Sequence, residues 1–494
     1  MAAPLIHHTS YGKVGFNVYF SRRLQAAFHL SKELRNKLLA QVLLAVSQLV
    51  FPLVTYPLVT RALGAQGLGR VNFADSIVQM VLIIASLGIP LYGIREIAID
   101  RNQPGKQSAT YFELIILQAS ATLPAVAAIW IIGSLSGVTP SLLWTGSIAL
   151  AASCLSGEWF LQGREAFLWV AVRSFCIRAL TAVCIYLLIS TPADAPLYYM
   201  LLTGSVVLTL LLNAAVIGTQ VKRPAAKLQP WRHLRKINWV YACYVLASLY
   251  TVADSLILGW LCPDKVVGYY SFGYRLVRMS AMLIPTLGVV FIPAIAFHHA
   301  ASDSERMQQQ VQASQRLIFF FGVPLSIFFF VFAPELIGTF AHEGFEPAVT
   351  VIRILSPIPL LVSFSHLTGT QLLVSIKKEK VYMAFLAAGC VLNIAIDLSL
   401  IPVHQERAAA ASNLITEAFV AVGTLVYLQK KELLRLQTAQ LLYAFLCSVS
   451  FYPLAALMRN FHWTPLAVLA AGGSLCALIY LGLQWRNLKR INPA

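Results

Sequence analysis

The sequence predicts an all-α integral membrane protein of about fourteen transmembrane helices. They form two parallel six-helix lobes around a central cavity, with two extra C-terminal helices. Three observations carry this. Hydrophobic residues make up 58% of the 494 positions and charged residues only 12%, about half the charge of an ordinary soluble domain, and the mean hydropathy is +0.71. The apolar runs are about 20 residues long or longer, the length a helix needs to cross roughly 30 Å of hydrocarbon, whereas barrel strands are shorter and alternate. Third, the chain carries a repeat. At an offset of 199, Gly69 corresponds to Gly268, Phe73 to Phe272, Ala74 to Gly273, Ile77 to Leu276, Val78 to Val277 and Met80 to Met279. An even number of spans per copy makes the copies parallel, related by an axis along the membrane normal.

The elements follow in order. A polar, basic tail (1–37) is too charged to be the core of a signal peptide, and no cleavage site follows the first apolar run. Segment 30–39 (LSKELRNKLL) has helical periodicity with basic residues and is expected to lie along the cytoplasmic surface. Spans are expected at 38–60, 76–98, 109–133, 141–162, 166–190 and 196–219 for the first lobe. A basic cytoplasmic linker (220–236) separates them from the second lobe (237–429), with spans at 237–261, 267–297, 316–340, 350–374, 381–402 and 408–429. An accessory pair at 434–457 and 464–484 precedes a cytoplasmic tail, within segment 430–494.

Lys and Arg set the orientation. With the N-terminus inside, cytoplasmic segments carry 27 of the 37 basic residues and outer loops five: Arg61, Arg70, Lys265, Arg407 and Arg459. Both ends are therefore expected in the cytoplasm. The same distribution argues against nucleic acid as the reason for the net charge of +17, since the basic residues sit in short connectors and form no single face. Seven of the eight cysteines (Cys154, Cys176, Cys184, Cys243, Cys390, Cys447 and Cys476) fall in apolar runs without a CxxC pair and read as packing residues. No loop is long enough for a soluble catalytic domain. There is no nucleotide-binding loop, metal-ligand cluster or nucleophile arrangement, so no cofactor is expected.

Charges inside the spans are the functional candidates, because each costs a few kcal/mol in hydrocarbon. Arg275 and Arg278 stand three apart in span 8 and share a face with Tyr274 and Tyr270 nearby. Their forked donors suit phosphate; pairing with carboxylates such as Asp254 is the other reading. Asp254, near Tyr250 in span 7, is expected to be the arginines' counter-ion, with a coupling-ion ligand as the alternative. In span 5, Arg178 near mid-depth and Arg173 deeper do not share a face: one is expected to line the cavity and the other to snorkel. Arg95 and Glu96 end span 2, and a bridge from Arg95 to Glu158 at the inner end of span 4 is expected. Glu113, Asp397 and Glu417 are isolated acids, each able to take a proton. Pro52, Pro57, Pro90, Pro285, Pro293, Pro324 and Pro357 are expected to kink their spans.

Segment 67–98, GLGRVNFADSIVQMVLIIASLGIPLYGIREIA, resembles the Wzx-type polysaccharide flippases of the multidrug/oligosaccharidyl-lipid/polysaccharide (MOP) exporter superfamily. SGEWFLQGRE (156–165), ADSLILG (253–259) and VGYYSFGYRLVRM (267–279) are similar to further elements of that family, and the likeness covers spans 1 to about 12. The resemblance implies a transporter, not an enzyme. Its substrate would be an undecaprenyl-diphosphate-linked oligosaccharide, an O-antigen or exopolysaccharide unit. Transport would run from inner to outer leaflet by alternating access, with the lipid tail left in the bilayer. It implies a cavity of arginines and acids, here Arg275, Arg278, Arg95, Glu96 and Glu158. Proton or sodium coupling, and partnership with polymerase and chain-length machinery, come with it. A lipid II flippase or a cation-coupled multidrug exporter of the same superfamily are the nearer rivals. The more distant is a membrane glycosyltransferase or polymerase, which would need a larger outer loop.

Overall fold

The computed structural model describes residues 32–222, 228–234, 239–341, 343–461 and 463–488. Most of the basic tail, much of the linker and the last six residues lie outside the described residues, as do the side chains of 32–43 and of Tyr250. Among the described residues the structure is helical, without strands. Ten stretches are long and apolar enough to cross a bilayer. Two of these are double. Lys32–Ala85 breaks at Gly64 (φ 63°, ψ −177°) and Glu379–Lys430 at Gln405 (φ 50°, ψ −127°). With Pro140–Leu155 and Trp239–Leu261, the expected fourteen spans are accounted for. Nothing lies within 4 Å of where a Cβ on Gly64 would sit, so its left-handed backbone, not crowding, calls for glycine.

Several boundaries differ from expectation. Span 2 starts directly after Gly64 rather than at 76, which puts Asp75 inside a membrane helix. It is interrupted at Leu87 and Gly88, both with positive φ (52° and 70°), and resumes as Ile89–Ile99. Span 9 is Ser304–Val331, and Ala333–Phe340 is a separate short helix. Of the span prolines, Pro52, Pro57 and Pro324 sit inside helices, but Pro90 and Pro293 begin new ones. There the missing N–H costs nothing.

The packing shows which way the molecule is open. The face that carries linker segment 228–234 is here the linker face, and its opposite the far face. One buried apolar cluster draws on both lobes, with Tyr56, Leu63, Phe73 and Tyr199 from the first and Leu256, Tyr270, Ile352 and Ala409 from the second. These residues come mainly from the span ends next to the far face. Toward the linker face the clusters separate. Ile89, Leu114, Trp159 and Ile217 belong to the first lobe alone, and Ile284, Phe319, Leu372 and Leu428 to the second. The lobes are sealed at the far face and part toward the linker face.

The seal centres on spans 2 and 8. A Cβ on Gly69 would overlap the carbonyl oxygen of Asp264, and one on Gly268 would overlap that of Ala65. Ala65 and Asp264 are themselves 199 apart, so the repeat partners meet reciprocally, each glycine against the other copy's backbone. Small residues permit such close approach between membrane helices. Arg70 adds a hydrogen bond from Nε to Asp264 Oδ2 at 3.3 Å.

At the linker face, the segments that resemble the flippase family knit the first lobe together. Gly93 lies flat against the Trp159 ring, and a Cβ on Gly163 would come within 2.8 Å of Ile97. The expected bridge between Arg95 and Glu158 is not formed. Arg95 is exposed, and Glu158 Oε2 accepts instead from Arg173 Nη2 at 2.7 Å. Arg173, 4% exposed, also donates to Asn213, whose amide donates to the Ser156 carbonyl at 2.9 Å. Arg173 therefore neither lines a cavity nor snorkels; it ties spans 4, 5 and 6 together. Glu113 is not isolated either. It accepts from the backbone N–H of Gln229 at 2.8 Å and from Arg232 Nη2 at 2.7 Å, and pairs with His233 Nε2 at 2.8 Å, docking the linker on span 3. Removing one partner of a buried ion pair strands the other charge, so Glu158→Ala should destabilise the protein by about 3 kcal/mol. The midpoint temperature of the detergent-solubilised protein should fall clearly, whereas Arg95→Ala should leave it unchanged.

Candidate functional site

Span 8 presents Arg275 and Arg278 to different surroundings. Arg278 Nη1 donates to Glu417 Oε1 at 2.7 Å, with 14% and 2% of the two side chains exposed. This is a compact pair within the second lobe. Arg275 reaches across to the first lobe, where its Nη2 lies 3.7 Å from Asp75 Oδ2. That is beyond hydrogen-bond length. The two side chains keep 35% and 27% of their surface accessible, although both are surrounded by protein. Accessible surface at that depth faces a cleft between the lobes. Tyr56 and Tyr198 flank Arg275, and Gln79, one turn on, donates to Asp75 at 3.5 Å. Tyr274, stacked on Tyr270 with ring centres 5.5 Å apart, leads from this pair into the second lobe.

There a second polar centre is sealed from solvent. Asp254 and Asp397 are both 0% exposed. Asp254 is not the arginines' counter-ion. It accepts from Asn393 Nδ2 and Asn413 Nδ2, each at 2.8 Å, and from the Tyr270 hydroxyl. The Asp397 carboxyl lies against that of Asp254. Ser412 is the side-chain donor near the Asp397 carboxyl, and the Oδ1 atoms of Asn393 and Asn413 and Thr416 Oγ1 are buried without partners. Two buried carboxyls in contact require a shared proton or a cation between them. The surplus of unpartnered oxygens is the donor set a hard cation takes.

The remaining candidates lie apart from these centres. Arg178 is half-buried on span 5, within electrostatic reach of Glu158. Glu96 is half-buried beside exposed Arg95 at the linker face. Sequence reasoning passed over Asp75, Asn393 and Asn413. Asp75 fell just before the expected start of span 2. The asparagines are neutral and raise no charge signal, although Asn393 and Asp397 stand four apart on one helical face.

The comparisons with known proteins agree with this architecture. A family model described as polysaccharide biosynthesis protein matches residues 34–298, more than half the chain, and one described as MatE matches 242–398. A protein of Escherichia coli (strain K12) named as an O-antigen transporter is 21% identical over 381 residues, covering 75% of this chain and 90% of that protein. A Haloferax volcanii protein named as the low-salt glycan biosynthesis flippase Agl15 is 24% identical over 282 residues, 56% of this chain and 57% of that one. Among solved structures, the lipid II flippase MurJ in an inward closed conformation aligns with TM-score 0.71 at 13% identity, over 91% of this chain and 99% of that one. An inward-facing multidrug resistance MATE family transporter of the MOP superfamily aligns with TM-score 0.59 at 13% identity, over 79% and 98%. At these identities the structural likeness speaks for the fold. The chain belongs to the polysaccharide biosynthesis protein family, the Wzx-type flippases of the MOP superfamily, and is a multi-pass membrane transporter rather than an enzyme.

Proposed function

We propose that this protein carries an undecaprenyl-diphosphate-linked oligosaccharide from the inner to the outer leaflet of a bacterial inner membrane. Both termini would be cytoplasmic, with the linker face inside and the far face outside. The reading is supported by the names of the relatives, an O-antigen transporter and a glycan flippase. It draws also on the Lys and Arg bias of the loops. The observation that carries it is the loose contact between Arg275 and Asp75. At 3.7 Å the guanidinium is near its carboxylate without a hydrogen bond to it. A diphosphate entering the cleft offers oxygens at the distance and forked geometry arginine prefers.

The steps follow from the chain's own residues. The cleft, open at the linker face, admits the diphosphate and sugars while the lipid tail stays in the bilayer. Arg275 turns from Asp75 to the diphosphate, and Tyr56, Tyr198 and Tyr274 line its surroundings. Losing Arg275 removes a link between spans 2 and 8, the spans that seal the far face at Gly69 and Gly268. Binding therefore favours the arrangement in which the lobes part at the far face, as a ligand with differential affinity for two states must. The centre at Asp254 and Asp397 supplies the coupling. A proton or sodium ion held there cancels one of the two carboxylate charges, and its charge acts on Arg278 and Arg275 through the stacked Tyr270 and Tyr274.

Reversing the cleft charge with Arg275→Glu should abolish polysaccharide export at normal protein abundance. Lipid-linked glycan should accumulate on the inner leaflet; full export by this variant would refute the cleft assignment. Asp397→Asn removes one buried charge and should make transport in proteoliposomes insensitive to the sodium or proton gradient that drives the unaltered protein. An unchanged gradient dependence would exclude this centre as the coupling site.

A further inference from the structure

Spans 13 and 14 stand outside the two lobes, yet they are fastened to the far face where it closes. The fastening is the short helix Ala333–Phe340, which follows span 9 after the fully buried Phe332. One side of this helix carries Glu335, whose side chain is 8% exposed. Arg459, at the end of span 13, grips it at two points. Its Nε donates to Oε1 at 2.6 Å and its Nη2 to Oε2 at 3.0 Å. The same Nη2 donates to the Val331 carbonyl at 2.8 Å. Gly338 faces span 14, where a Cβ would come within 2.9 Å of the Pro465 ring.

The helix also touches the first lobe. Leu336, Ile337 and Ala341 belong to the buried cluster that contains Tyr56, Val59 and Leu63 of span 1. Thr60 Oγ1 donates to the Phe340 carbonyl at 3.3 Å. These contacts lie on the last turns of span 1, just before the break at Gly64. One eight-residue helix therefore joins spans 13 and 14 to the outer end of span 1, next to the crossing of spans 2 and 8.

We propose that Ala333–Phe340 is a brace through which spans 13 and 14 hold the far face closed, with Glu335 and Arg459 as its positioning residues. The proposal rests on the alternating-access reading given above. Parting the lobes at the far face moves span 1 away from spans 8 and 10. The brace must then travel with span 1, against its anchor in span 13, or release it. The two-point arginine pair resists both movements, because its planar fork holds the carboxylate in one orientation. The strength of the pair thereby sets how readily the far face opens.

The test reads far-face opening directly. Val267, 0% exposed beside the Gly268 crossing, is replaced by Cys in a chain that also carries Cys262→Ser. Whole cells are treated with a membrane-impermeant maleimide. Glu335→Gln should raise the rate of Val267→Cys labelling several-fold, and the charge swap Glu335→Arg with Arg459→Glu should bring it back toward the original rate. Arg459→Lys keeps the charge and loses the fork, and should give an intermediate rate; it serves as the reading if Glu335→Gln protein does not accumulate. Labelling unchanged in both variants, with only thermal stability lowered, would make the pair a plain structural tie and overturn the proposal. Glycan export measured in the same cells separates the two claims. Normal export with unmoved labelling defeats the brace alone, whereas a gene deletion without accumulation of lipid-linked glycan defeats the flippase reading.

Discussion

Hydrocarbon offers an unpaired charge no solvent, and that constraint orders this structure. The buried ionic groups are mostly held in short, geometrically good pairs: Arg173 with Glu158 at 2.7 Å, Arg278 with Glu417 at 2.7 Å, and Arg459 with Glu335 at 2.6 Å. Glu113 is held by the linker through Arg232 and His233. Two centres depart from the rule. Arg275 and Asp75 are 3.7 Å apart with part of both side chains accessible, and Asp254 meets Asp397 beside the unpartnered amide oxygens of Asn393 and Asn413. The short pairs build the scaffold. The other two centres are where we propose that a phosphate and a cation bind.

The repeat gives those centres their leverage. Gly69 and Gly268 bring the starts of spans 2 and 8 into backbone contact, and Asp75 and Arg275 face each other about two turns further along the same helices. Seal and proposed ligand site thus share two rigid elements. A change in what Arg275 binds is felt at the crossing without any intervening loop. The second lobe adds the proposed ion centre through Tyr270 and Tyr274, which stack between Asp254 and the arginines. The short helix Ala333–Phe340 adds the accessory spans at the far face.

Most of the fold was legible in the sequence because its signals are local. Span length, loop charge and the offset of 199 need no knowledge of packing, and the crossing at Gly69 and Gly268 falls on two positions the repeat had paired. Half of the candidate site was legible. Arg275 and Arg278 stand out, since a charged residue in an apolar run is conspicuous. Their partners are not, because they are chosen by tertiary packing. Asp75 was hidden by a helix that begins at Ala65, eleven residues before the apolar run suggests. Glu158 meets Arg173 and not Arg95 because the end of span 2 packs on span 4 through Gly93 and Ile97, which leaves Arg95 on its exposed side, while Arg173 is buried on span 5. Asn393 and Asn413 carry no charge to draw notice.

The central claim is that a diphosphate competes with Asp75 for Arg275. It is tested most directly by the affinity of the purified protein for a polyprenyl-diphosphate-linked oligosaccharide in detergent. Removing the competitor with Asp75→Asn should tighten binding, and Arg275→Gln should weaken it by about tenfold or more, the loss of one charged hydrogen-bond partner. Weaker binding by Asp75→Asn together with unchanged binding by Arg275→Gln would contradict the account.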